Sequence, residues 1–196
     1  MSGPVCTTLN AINIGQMPAG GGARLLAYLG KTAPDDEPLP LVTILDSNGL
    51  EDALWALRTV TGEDARIRRY AVWCARQVQH LMTDPRSVDA LDAAERYADG
   101  LATDDELQAA GLAAWKVPDA AAWTAAGAAA RAAIWVAVPL AAWAAAGAAS
   151  WWAAVAARRD ARSGGNAAGD AAEEAAWTAA RAAQAVEFRR AFGGDA

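Results

Sequence analysis

Apolar residues recur with a helical period through the first part of the chain, most regularly in residues 67–82, IRRYAVWCARQVQHLM. There Ile67, Ala71, Cys74, Val78 and Leu81 follow alternating four- and three-residue steps, which places them on one face of a helix. Arg68, Arg69, Arg76 and Gln79 fall largely elsewhere. The stretch predicts a core helix around which its neighbours are arranged.

Upstream the pattern is weaker. Residues 1–22 are small, mixed and glycine-rich, ending in Gly20, Gly21 and Gly22, and predict an irregular start. Residues 23–30, ARLLAYLG, predict two helical turns with Leu25, Leu26 and Leu29 inward and Gly30 as a left-handed cap. KTAPDDEPLP, with three prolines and three acids, reads as an exposed connector. Residues 41–45 are short and apolar and predict a turn of helix between helical neighbours. In DSNGLEDALWALRTV, Asn48 and Glu51 have capping-box spacing, ahead of a helix that buries Leu50, Leu54 and Leu57 beside Trp55.

Downstream the boundaries are sharper. Thr61 and Asp64 open the organising helix; Asp84 caps the next, with Pro85 at its first position, and Gly100 ends it after Val88, Leu91 and Tyr97. Thr103 with Glu106 forms a second capping box, before Leu107, Leu112 and Trp115. Loops this short join antiparallel neighbours.

After Pro118 alanine dominates, punctuated by tryptophan, arginine and glycine. AAWTAAGAAARAA from Ala121 recurs as AAWAAAGAASWWAA from Ala141 and as AAWTAARAAQA from Ala175. Alanine favours helix strongly but has little to bury, so tryptophans must supply most of the contact area. Pro139 predicts a kink or break near Val138; Ser163, Gly164, Gly165 and Asn166 predict a turn; the last helix runs to about Phe192, anchored by Trp177, Phe188 and Phe192. The expected class is all-α, a bundle of short capped helices followed by long alanine-rich helices. Its parts are an irregular segment with one short helix (1–40), a short-helix bundle (41–117) and the alanine- and tryptophan-rich helices (118–196), packed on the bundle as one domain.

Composition narrows the function classes. A formal net charge of −6 over 196 residues argues against direct nucleic-acid binding, which needs lysine and arginine to neutralise phosphates. The two cysteines, Cys6 and Cys74, together with no basic-then-apolar leader in residues 1–22, lead to the expectation of a reduced, cytoplasmic setting. His80 is the sole histidine, so a multi-histidine metal site is excluded, and its six-residue offset from Cys74 puts the two on different helix faces. Glycine-rich phosphate loops are absent from the sequence. No cofactor, metal or catalytic residue is expected, and the chain reads as a non-enzyme. Arg66, Arg68, Arg69 and Arg76 read as ion-pair partners for neighbouring acidic helices. Residues 132–157 carry no charge and are long enough to span a bilayer, but alanine, Gly147, Ser150 and Pro139 favour burial in the bundle or a partner contact over a membrane. The candidate protein-contact residues are Trp123, Trp143 and Trp152, as large rigid aromatics, and the acidic run Asp35, Asp36 and Glu37, as a face for a basic partner. The competing readings are inter-helix packing and a solvated loop.

The run DEPLPLVTILDSNGLEDALWALRTV, followed by IRRYAVWCARQVQHLMTDPRSVDALDAAERYADGLATDDEL and an alanine- and tryptophan-rich tail, resembles a group of phage and prophage proteins. Some of these carry the label of immunity protein, similar to the Imm5-like group of polymorphic-toxin systems. The resemblance covers residues 25–115; the tail matches in composition. It implies a small helical protein of the host-cell cytoplasm that binds and inhibits a protein partner, a toxin or a host defence effector. Anti-defence activity, such as anti-CRISPR inhibition, is the alternative, as is a structural or membrane-associated phage role, and a homo-oligomer is compatible with either.

Overall fold

The computed structural model describes residues 3–116 and 138–194, the side chains of residues 115 and 138–141 excepted. The protein is all-α, with one pair of two-residue strands among the described residues. It forms two compact units, Met1–Glu63 with Ala185–Ala196, and Asp64–Gln184.

In the first unit, β1 (Cys6–Thr7) pairs antiparallel with β2 (Leu39–Pro40), Cys6 opposite Pro40 and Thr7 opposite Leu39. The end of the chain joins this ladder: the Val5 amide donates to the Phe192 carbonyl at 3.0 Å, and the Leu41 amide donates to the Val5 carbonyl at 2.9 Å. Residues 3–22 are more ordered than the sequence predicts. Helix α1 (Leu9–Ile12) starts at Thr8, whose hydroxyl accepts from the Ala11 amide at 3.0 Å, and it buries Leu9 and Ile12. A single turn with two apolar residues leaves no periodicity to read, and its stability comes from what covers it.

The glycines that follow serve close approach. A Cβ on Gly22 would collide with the Ile14 carbonyl and one on Gly21 with the Asp52 carboxylate, so helix α2 (Gly21–Leu29) begins two residues earlier than predicted. It ends where expected, at Gly30 with φ 67°. Helices α3 (Leu41–Asn48) and α4 (Leu50–Ala56) are separated by Gly49 at φ 90°. Asn48 does not cap α4, contrary to the capping-box expectation. Gly49 holds the cap position, and the Asn48 amide nitrogen donates instead to the Gly21 carbonyl at 2.8 Å and to Asp52 at 2.7 Å. Leu9, Ile12, Leu25, Leu41, Ile44, Leu54 and Leu57 form the core with Phe188 and Phe192, whose ring centroids are 4.6 Å apart. Each such side chain contributes about 1.5–3 kcal/mol on burial.

The second unit opens with α5 (Asp64–Arg76), the organising helix, which is shorter than its hydrophobic pattern. Ile67, Ala71, Cys74 and Val78 are buried as the pattern requires, but Gln79–Leu81 forms a 3-10 turn and leaves Leu81 half-buried. Helix α6 (Pro85–Ala98) is capped by Asp84, which accepts from the Arg86 amide at 2.9 Å. Helix α7 (Asp104–Trp115) has both halves of its capping box: Thr103 Oγ1 accepts from the Glu106 amide at 3.3 Å, and Glu106 accepts from the Thr103 amide at 2.8 Å. Helices α5, α6 and α7 pack consecutively. The arginine cluster is used internally, through Arg69 with Asp99 at 2.8 Å and Arg76 with Asp92 at 2.6 Å and Glu95 at 2.8 Å.

Helix α8 (Val138–Asp160), with Pro139 in its first described turn, packs along α5. Its buried stripe is Ala142, Ala145, Ala146 and Ala149, side chains small enough to allow a close approach. A 3-10 turn, Ala161–Gly164, and Gly165 at φ 90° lead into α9 (Asn166–Phe192). The Tyr70 hydroxyl donates to the Gln184 carbonyl at 3.2 Å, fixing this part of α9 to α5. The boundary between the units falls within α9, after Gln184.

Candidate functional site

Helices α8 and α9 are joined by polar tethers at two levels. Near the turn, Arg158 reaches Asp170 at 2.9 Å and Glu173 at 2.5 Å, and the Glu173 hydrogen bond raises the pKa of the guanidinium. Farther along, buried Gln184 donates to the Ala146 carbonyl at 2.9 Å, and buried Ser150 lies 3.0 Å from that carbonyl and 3.2 Å from Gln184 Oε1. Arg181 also donates to Gln184 Oε1, at 3.1 Å. Between the tethers lies a groove of about 430 Å³, lined by Trp151 and Ala154 from α8 and by Asp170, Glu173, Glu174 and Trp177 from α9.

Its composition follows from helical spacing. Asp170, Glu173, Glu174 and Trp177 stand at i, i+3, i+4 and i+7, the stripe that a helix normally fills with apolar residues when it packs on a neighbour. Here three of the four are acids, so the stripe cannot close on the alanines of α8. Two indoles stay accessible as a result: Trp151 is 53% and Trp177 37% exposed. The Arg181 guanidinium lies 5.9 Å from the Trp177 ring centroid, so one indole already takes a cation from the chain itself.

Two other concavities belong to the same unit. One, of about 460 Å³, is formed by His80, Leu81 and Thr83 after α5 with Trp152, Val155, Ala156, Arg159 and Asp160 of α8. The other, of about 360 Å³, surrounds Arg68 with Asp64, Ala65, Tyr97, Ala98 and Gly100. Arg68 is buried, with its guanidinium 5.0 Å from the Tyr97 ring centroid, and burial lowers its pKa. A hydrogen bond to Asp104 raises the pKa of the Tyr97 hydroxyl. Among the described residues no group of three or more His, Cys, Asp or Glu side chains is placed to hold a metal ion. Cys74 is buried, while Cys6 is exposed with its thiol 3.5 Å from the Pro4 carbonyl.

The residues singled out in the sequence are dispersed. Trp123 lies outside the described residues. Trp143 is half exposed on α8, and Trp152 is half-buried in the concavity with His80. Asp35, Asp36 and Glu37 lie in the first unit and are engaged locally. Lys31 reaches Asp35 at 2.5 Å and Glu37 at 2.6 Å, and the Thr8 hydroxyl is 3.4 Å from Asp36. The Lys31 hydrogen bond holds the Asp35 carboxyl below its ordinary range. Trp177, expected as an anchor like the fully buried Phe188 and Phe192, is instead at the groove.

The sequence reading does not select Trp151, Asp170, Glu173 or Glu174. The signal available was the acidic i, i+3, i+4 spacing ahead of Trp177, which marks a stripe unable to pack like its neighbours. No helix among the described residues is long and apolar enough to cross a membrane. Comparison of the chain with protein-family models, curated proteins and solved structures finds no significant match.

Proposed function

We propose that this is a non-enzymatic, phage-encoded accessory protein that binds and inhibits another protein, as an immunity protein does. The observation that carries the binding part is the groove between α8 and α9, where two accessible tryptophans flank acids on a stripe that no described residue covers. Tryptophan gains much contact area for few ordered torsions and is over-represented where binding energy concentrates. The phage and inhibitory parts rest on the resemblance of residues 25–115. Inhibition would be steric, the partner's working surface being occluded once α8 and α9 are seated on it.

The test is capture of the tagged chain from its host with mass spectrometry of what co-elutes, run in parallel with a Trp151→Ala, Trp177→Ala double variant. The expected result is one partner near equal stoichiometry whose activity falls on binding and which the double variant does not retain. The partner's identity separates toxin immunity from anti-defence. Recovery of the chain alone, or a partner held equally by the double variant, would overturn the reading.

A further inference from the structure

Resting on that protein-binding reading, we infer that the groove between α8 and α9 takes an arginine side chain of the partner, its guanidinium on Glu174 and its planar face against Trp151, with Trp177 alongside. Among the described residues three carboxylates line the groove, and Arg158 engages two of them, Asp170 and Glu173. Glu174 is exposed and enters none of the ion pairs among the described residues. The three carboxylates therefore outnumber the described cations beside them, Arg158 and Arg181, and the groove is aromatic on both helices.

The chain's own arginines show both halves of the recognition, on separate groups. Arg158 satisfies carboxylates at this site, and Arg181 lies over the Trp177 ring. An incoming guanidinium would meet the two features together, at Glu174 and at the indole of Trp151. Arginine fits better than lysine. A cation settling on an indole must shed water, and a guanidinium is more weakly hydrated than an ammonium, planar, and able to stack while its edge donates to a carboxylate. The net charge of −6 favours approach of a basic partner surface.

The probes are an acetylated, amidated peptide with one arginine among glycines and serines, its citrulline and lysine counterparts, and ethylguanidinium. Each is titrated into the full chain while the tryptophan indole N–H resonances are followed, with Trp151→Phe and Trp177→Phe supplying their assignment. The arginine peptide is expected to shift both indoles saturably. Citrulline, or Glu174→Gln in the chain, should weaken the effect about tenfold, the loss of one charge-assisted hydrogen bond, with the remaining spectrum unchanged. Lysine should bind more weakly than arginine.

Unmoved indoles, equal shifts with citrulline, or full affinity in Glu174→Gln would each overturn the inference. Ethylguanidinium binding at least tenfold more tightly than the peptide would overturn it too, by making this a small-molecule site that a peptide enters poorly. The capture experiment keeps the two proposals apart. If Glu174→Gln retains the captured partner while the double tryptophan variant loses it, protein binding stands and the arginine assignment falls. If neither variant affects capture, both fall.

Discussion

Gly22 and Gly147 both sit inside helices, yet alanine should act at them with opposite sign. At Gly22 a methyl would run into the Ile14 carbonyl, which is backbone and cannot swing aside, whereas at Gly147 no neighbouring described residue stands within 4 Å. Gly22→Ala is expected to cost about 1–3 kcal/mol, and Gly147→Ala to add about 0.5–1 kcal/mol; denaturant midpoints of the two variants read this directly. Thr103→Ala removes a helix cap and should cost about 1 kcal/mol. Its partner brings in pH. The Thr103 amide and hydroxyl hold the Glu106 carboxyl below its ordinary range, so its contribution is complete above the unfolded value of 4.5 and is lost as pH falls through the lower folded value. The stability gap between the native chain and Glu106→Gln should therefore close on acidification below that range. Thr103 and Glu106 were legible because a cap is written in neighbouring residues. Asn48 followed the same spacing and misled, since Gly21 and Asp52 compete for its side chain.

At the level of elements, legibility tracked side-chain bulk. The buried faces of α5 and α6 could be read because large and polar residues alternate with a clear period. The early end of α5 could not, because neither glycine nor proline marks Arg76 and the change to a 3-10 turn is a property of the packing. In α8 and α9 alanine occupies buried and exposed positions alike, so periodicity cannot say which face packs; the helices were predictable and the groove between them was not. The two ends of α9 should respond differently to truncation of an aromatic. Phe188 is fully buried, and Phe188→Ala is expected to cost about 3–5 kcal/mol. Trp177→Ala, at a partly exposed position, should cost about 1 kcal/mol. Thermal or denaturant unfolding distinguishes them, and a cost at Trp177 equal to that at Phe188 would mean the groove is part of the core.

For the molecule as a whole, the acidic balance predicts salt sensitivity in whatever it binds. If the partner surface is basic, the association rate should fall steeply as ionic strength rises while dissociation changes little; stopped-flow or biosensor kinetics at two salt concentrations would show it. The division into units carries a consequence of another kind, for the order of events on the ribosome. The first unit is assembled from two segments separated by the whole of the second, since Val5 bonds to Phe192 and both phenylalanines belong to its core. The second unit is continuous from Asp64 to Gln184. At roughly 5–20 residues per second of synthesis, the leading segment must wait on the order of ten seconds for its closing piece, with Leu9, Ile12 and Leu25 still without the phenylalanines that complete their core. On the ribosome the second unit is thus complete before the first, and the segment ahead of it stays open to proteases and chaperones until Phe192 has emerged.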